Sequence, residues 1–334
     1  MTLAYLAFTD TGEELARRLA QALGGVPSRC NRPLSLRDWT AQNFPHADGL
    51  VFVGAAGIAV RAVAPYVVSK ASDPAVVVVD ECGRFAVPVL SGHLGGANDL
   101  ARRIAAVCGA VPVITTATDS HGLFAVDEWS KRQNCTITNP HSIKLVSSAV
   151  LRGEPIPVYS LWDISGTPPQ GLYRTQDPAG CRIRLDWRAP EDGDETLHLA
   201  PNIVVLGVGC RKNTPQEDIE RSFAQLKAKT GLSERAVCAV SSIDLKKEEP
   251  GLIAFCRAHG WPFVTYSAQE LLEVPGTFTA SSFVRGVTGV DNVCERSAAC
   301  CAGGTIIEPK NAGHGVTMAL ACKPYQPNWR WQDE

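Results

Sequence analysis

Apolar runs without polar alternation recur in the first third of the chain: 3–8 (LAYLAF), 49–53 (GLVFV) and 75–80 (AVVVVD, apolar up to its last residue). A strand that is apolar at every position has no face to give to water, so it belongs in a sheet covered on both sides. Helix signals fall between these runs. Thr9, Asp10 and Thr11 offer N-caps to a helix whose Leu15, Leu19 and Leu23 share one face, and Gly24-Gly25 ends it. A further strand at 85–90, a helix from Gly96 to Cys108 and a strand at 111–115 (VPVIT) continue the alternation. The pattern predicts an α/β domain over 1–120, doubly wound around a mainly parallel sheet.

The chain has 334 residues, 45% of them hydrophobic, which is more than one core usually holds. Residues 121–200 are read as a small middle segment. They carry helical patterns at 125–133 and 141–152 and a short strand at 156–159, then turn-rich, charged sequence over 160–200 that serves as an exposed connector. A second, smaller α/β domain is expected over 201–323, with 324–334 as a tail. It opens with a strand (203–206) running into Gly207-Val208-Gly209-Cys210-Arg211. Thr214-Pro215 and Glu217 then form a capping box for a helix that ends at Gly231. Strands at 236–240, 262–266, 304–308 and 315–321 alternate with helices near 248–259, from Ser267 and near 293–302.

The bulk numbers remove several classes of function. Lys plus Arg is 32 and Asp plus Glu is 34, a net charge of −2 without a basic stripe, so nucleic acid is not an expected partner. No apolar run approaches the roughly 20 residues of a membrane span, and the start MTLAYLAFTDTGEE lacks the features of a signal peptide. The 12 cysteines are scattered, with no C-x-x-C pair, and H-E-x-x-H is absent, so neither a disulfide framework nor a zinc site is expected. Cytoplasmic localisation follows from that reading.

The densest chemical feature is Ser91-Gly92-His93-Leu94-Gly95-Gly96-Ala97-Asn98-Asp99, between a strand and a helix. Its glycines allow close backbone approach, helix-start N–H groups bind anions, and His93 can act as acid or base near neutral pH. A tight strand–helix turn with a solvent-facing histidine is the structural alternative. Thr116, Thr118 and Asp119 follow the next strand and are expected on the same sheet edge; helix capping explains them equally well. A third loop, Gly54 to Arg61 including Gly57, resembles a carboxylate loop but lacks the full G-x-G-x-x-G fingerprint. Arg61, Lys70 and Arg84 would suit an anionic substrate, or are scattered surface charges. In the second domain, Gly207 and Gly209 form another strand-to-loop turn, while 242–246, Ser281-Ser282 and 289–295 complete a candidate site. Glu295 there is either an acid–base group or a first-turn residue favoured by the helix dipole.

In this order the residues resemble the CbiG family of cobalt-precorrin-5A hydrolases. The carrying segments are Gly57-Ile58 through Arg61, Lys70, 73–80, SGHLGGAN at 91–98 and 115–119. In the second domain they are GVGCRKNT, the SSIDLK stretch with Glu249-Pro250-Gly251-Leu252, and GVDNVCE, which are similar to a C-terminal domain also found alone as the CobE type. The resemblance implies a tetrapyrrole substrate with many carboxylates and a δ-lactone. Water opens the lactone and acetaldehyde leaves, giving cobalt-precorrin-5B. Cobalt arrives within the substrate, so no cofactor or protein-bound metal is expected, although His93, His121 and His314 are formally able to ligate it. His93 is the first candidate for acting on the water or the leaving oxygen, with Asp99 and Glu295 beside it as catalytic candidates. Other enzymes of the cobalamin pathway and a second copy of the chain are the implied partners. A precorrinoid carrier and a dinucleotide enzyme are the competing readings; the missing glycine fingerprint weighs against the second.

Overall fold

The computed structural model describes residues 1–69, 72–92, 95–116 and 122–331, with the backbone only at Ser282 and Phe283. The chain divides into two compact units, Met1–Glu128 and Trp129–Glu334.

In the first unit the strands are β1 (Leu3–Ala7), β2 (Val26–Arg29), β3 (Gly49–Val53), β4 (Ala75–Val79), β5 (Phe85–Leu90) and β6 (Val111–Pro112), in the sheet order β2-β1-β3-β4-β5-β6. Every residue of β1, β3 and β4 is buried, as their unbroken apolar sequences require. Successive side chains serve opposite faces. Leu3, Tyr5, Val51, Val53 and Val77 pack on the helices Asp10–Leu23 and Ala97–Cys108. Leu6, Leu50, Phe52 and Val76 pack on Trp39, Phe44, Ala59 and Val63 from the opposite side. The sheet is therefore doubly wound and mainly parallel. Its exception is the β4–β5 pair, which is antiparallel, with Val79 opposite Ala86 and Val76 opposite Leu90.

Two stretches of this unit differ from expectation. The loop expected over 54–61 is mostly the helix Ala56–Val63, which starts without a side-chain cap and so carries no sequence mark of its beginning. The weakly apolar, partly exposed β2 lies at the sheet edge and escapes the same apolar criterion.

The second unit holds two sheets. The first contains β7 (Cys135–Ile137), β8 (Ile156–Ser160), β9 (Leu172–Arg174), β10 (Ile183–Leu185) and β11 (Leu197–Pro201), in the order β7-β11-β10-β8-β9. The connector expected over 160–200 is thus three strands of a sheet, with Leu172, Ile183, Leu185, Leu197 and Leu199 buried between turn-rich loops. The second contains β12 (Val204–Cys210), β13 (Val237–Ile243), β14 (Phe263–Tyr266), β15 (Thr305–Gly313) and β16 (Val316–Cys322), in the order β14-β13-β12-β16-β15. β12, β13 and β14 are parallel, while β15 and β16 form an antiparallel hairpin against β12. Leu206, Val208 and Val240 pack on Phe223, Leu226 and Phe255 on one face. The helix Cys294–Ala302 covers the other. There Gly207 is required by close approach: a Cβ on it would stand 1.9 Å from the Cys294 carbonyl.

The expected capping box at 214–217 does not form. The helix Gln216–Thr230 has Pro215 at its N-cap, and Thr214 Oγ1 donates backwards to the Arg211 carbonyl at 2.8 Å. The tail is also no tail up to residue 331. Trp329 is buried and stacks on Trp129 at 5.4 Å, Trp129 Nε1 donates to the Asn328 carbonyl at 2.7 Å, and Trp329 N donates to the Ser165 carbonyl at 3.0 Å.

Candidate functional site

The reversal at β5 distributes the first unit's candidates over two edges of its sheet. β1, β3 and β4 run one way, so the helix carrying Gly57 and Arg61, and the β4–β5 turn carrying Arg84, lie at their carboxyl ends. β5 and β6 end at the opposite edge, and Ser91, Gly92, Gly95 to Asn98 and Thr116 lie there. These candidates therefore do not converge on one site. Arg61 is exposed. Arg84 is exposed and its Nε lies 3.4 Å from Asp80 Oδ2. Burial raises the Asp80 pKa, but hydrogen bonds from the Phe85 and Arg84 amides outweigh this and hold it below the usual carboxylate range.

Ser91, Gly92 and Gly95 to Asn98 pack closely together. Ser91 adopts φ +56° and donates its hydroxyl to the Asp73 carbonyl at 3.0 Å. A Cβ on Gly95 would stand 2.1 Å from Ser91 Cβ, and one on Gly92 would stand 2.9 Å from Asn98 Oδ1. Gly96, at φ +85°, is the N-cap of the helix Ala97–Cys108. Two N–H groups expected to bind an anion are engaged internally: Ala97 N donates to the Ser91 carbonyl and Asn98 N to the Gly92 carbonyl. Asn98 is buried and joins this loop to the next through Nδ2 donating to Thr116 Oγ1 at 3.1 Å. Asp99 points to solvent. His93, Lys70, Thr118, Asp119 and His121 lie outside the described residues.

A larger concavity opens in the second unit, at the carboxyl ends of β12 and β13, where parallel α/β sheets bind ligands. Its volume is about 1070 Å³, at the upper end of the roughly 300–1,000 Å³ common for small-molecule sites. Ile243, Val284, Val293 and Val316 supply apolar wall. Leu245 and Val287 also line it, at 67% and 65% exposure, leaving apolar surface for a ligand to cover. Arg211, Lys212, Lys246 and Lys310 bring four cations against the two carboxylates Glu248 and Glu249. Asn213 (φ +61°) and His314 (φ +53°) hold left-handed backbone on the lining, a conformation common at binding loops. A flat apolar ring with peripheral carboxylates matches this arrangement.

The candidates of the second domain separate here. Gly209 lines the cleft, whereas Gly207 serves helix packing. Glu295 is only 2% exposed and accepts from Thr279 N (2.7 Å), Thr279 Oγ1 (2.9 Å), Asn292 Nδ2 (2.8 Å) and Lys310 N (2.7 Å). With two donors on each oxygen it acts as a clasp behind the cleft. Sequence analysis did not single out Lys310 or Glu248. Both depend on pairings distant in sequence. The Gly313-His314-Gly315 turn was the available signal for the hairpin that forms this wall.

Comparison with known proteins assigns the sequence to a class. Three family models match in chain order: Cobalamin synthesis G N-terminal over 38–119, Cobalamin biosynthesis central region over 124–201 and Cobalamin synthesis G C-terminus over 204–321. The matched models, in this order, are those of a cobalamin-biosynthesis protein. The chain is 34% identical to cobalt-precorrin-5A hydrolase of Salmonella typhimurium, over 96% of this chain and 97% of that one. It is 33% identical to cobalt-precorrin-5A hydrolase of Priestia megaterium, over 96% and 95%. Its C-terminal part is similar to Protein CobE of a Sinorhizobium species, at 31% identity over 35% of this chain and 79% of that protein. The chain belongs to the CbiG family, that of the cobalt-precorrin-5A hydrolases.

Proposed function

We propose that the chain is a cobalt-precorrin-5A hydrolase that opens the substrate's δ-lactone with water and releases acetaldehyde to give cobalt-precorrin-5B. The observation that carries this reading is the cleft of about 1070 Å³, walled by apolar side chains and edged by Arg211, Lys212, Lys246 and Lys310, in a chain related to hydrolases of this name over 96% of its length. The apolar wall covers the macrocycle and the cations meet its carboxylates, with Arg able to bind one bidentately. Cobalt enters as part of the substrate.

Lactone opening requires a group to take a proton from water and donors for the oxyanion that develops on the carbonyl. The loop 91–99 with His93 is the proposal from sequence for such a group. Cytoplasmic residence belongs to the same proposal and is consistent with twelve free thiols; among the described residues no helix is long and apolar enough to cross a membrane. The test is anaerobic incubation of the purified chain with cobalt-precorrin-5A, following product mass and trapped acetaldehyde. Release of acetaldehyde with a product of the expected mass is the predicted outcome. Tight binding without release would replace the hydrolase with a carrier.

A further inference from the structure

We infer that Glu249 is the group that accepts the proton of the attacking water in the C-terminal cleft, and that Lys246 positions it. This rests on the hydrolase reading and assigns proton transfer to Glu249 rather than to the sequence candidate His93. Glu249 is the N-cap residue of the helix Pro250–His259, yet its side chain makes no capping bond to that helix. Instead Oε2 accepts from Lys246 Nζ at 2.9 Å, with the two side chains 4% and 13% exposed. Oε1 is buried and has no hydrogen-bond partner. Both residues line the cleft. Gly251 fixes the backbone next to them: a Cβ there would stand 2.1 Å from the Thr214 carbonyl, so the helix start is seated on the turn that follows β12.

A buried carboxylate oxygen without a donor is costly and uncommon in folded proteins. Here one oxygen is held by an ammonium, while the other is buried beside the cleft with its accepting capacity unused. A carboxylate oriented through one oxygen and unsatisfied at the other is suited to take a proton from a water that enters beside it. The other titratable groups of the cleft are placed differently. Glu248 is exposed, His314 Nε2 lies 3.1 Å from Gln225 Nε2, and burial raises the Cys210 thiol pKa. In the step assigned to Glu249, the water oxygen bonds to the lactone carbonyl carbon and a water proton passes to Oε1. The acyl–oxygen bond then breaks; the alkoxide collapses to the C=O of acetaldehyde as its carbon–carbon bond to the macrocycle breaks, and the ring carbon that receives the electron pair takes the proton. One water is added, and nothing is oxidised or reduced.

The experiment compares full-length wild type, Glu249→Gln, Glu249→Asp and His93→Ala with cobalt-precorrin-5A under anaerobic conditions. Acetaldehyde release gives kcat, and titration of the ligand's visible spectrum gives binding. Glu249→Gln keeps the side chain's size and is expected to lower kcat by about 10²–10⁴-fold, with binding within about threefold of wild type. If Glu249→Gln does not fold, Glu249→Asp, which keeps the charge for Lys246, is expected to bind normally with reduced kcat. Glu249→Gln, or Glu249→Asp in its place, turning over at the wild-type rate overturns the inference. So does a Glu249→Gln that loses binding together with turnover. Activity lost in His93→Ala but kept in Glu249→Gln returns proton transfer to the loop 91–99. A wild type that binds the macrocycle and releases no acetaldehyde overturns the hydrolase reading, and the inference falls with it. An active wild type with an active Glu249→Gln overturns the inference alone.

Discussion

Replacing Glu295 with Gln separates a structural clasp from a catalytic acid. Its Oε1 takes Thr279 Oγ1 and Lys310 N, and its Oε2 takes Thr279 N and Asn292 Nδ2. An amide turns one of these oxygens into an NH₂ facing two donors, so two hydrogen bonds to a charged acceptor are lost whichever way it sits. Each is worth about 1.5–3 kcal/mol, giving a loss of about 3 kcal/mol at the lower bound. For a unit the size of Trp129–Glu334, each kcal/mol moves Tm by about 2–4 °C, so a drop of about 6–12 °C is expected. Thermal melts followed by circular dichroism measure it. Below the melt, turnover of Glu295→Gln should stay within a few-fold of wild type, because Glu295 lies behind the cleft wall. A melting temperature within about 2 °C of wild type would refute the clasp. A collapse of kcat at unchanged Tm would make Glu295 catalytic after all.

Other perturbations follow from local geometry. Gly95→Ala places a methyl 2.1 Å from Ser91 Cβ and should destabilise the first unit by about 1–3 kcal/mol, read by thermal melts; no shift would mean the turn is not packed as described. Asp291 is held below the usual carboxylate range by the hydrogen bond from Arg296 Nε, at 2.8 Å. A depressed folded-state pKa stabilises above the unfolded value of about 4 and is lost as pH falls through the folded one. The stability gap between wild type and Asp291→Asn should therefore be constant near neutrality and close on acidification below about pH 4, in denaturant titrations at stepped pH; a gap that persists or widens would contradict the pairing. Burial pushes the Cys256 thiol up to about 12 and the Cys294 thiol up to about 11, while Cys82 is exposed. Maleimide mapped by mass spectrometry should label Cys82 first and these two only on unfolding; early label on Cys256 would refute their burial.

The fold was legible where one physical signal dominated. Five-residue apolar runs could only be buried strands, and they are β1, β3 and β4. Thr9 and Gly24 mark the ends of the helix Asp10–Leu23 by caps that form: Thr9 Oγ1 accepts from Gly12 N at 3.0 Å, and Gly24 takes φ +80°. The three-residue strands β9 and β10 gave no such signal, because a strand that short shows no periodicity between Gly and Pro turns. The C-terminal cleft was legible in pieces. Gly209, 242–246 and 289–295 were all singled out, but the hairpin that brings Lys310 to them depends on pairing between β12 and β16 across more than a hundred residues.

The edges on which loops 54–61 and 91–99 fall can be read from the sequence. The sites drawn on loops 54–61 and 91–99 would share an edge only if β4 and β5 were parallel. Residues 80–84 are all that separates β4 from β5, whereas a parallel crossover needs about a dozen residues or more. The chain has to reverse there, and Asp80 stabilises the turn by accepting from the Arg84 and Phe85 amides at 2.7 Å each. That reversal carries the end of β5, and with it Ser91 and Gly92, to the opposite edge from Arg61 and Arg84. Connection length thus separates the two groups of anion-binding candidates. It also explains why, in the second unit, the longer crossover from β12 to β13 through the helix Gln216–Thr230 keeps Gly209 and Lys246 at one edge, where the cleft lies.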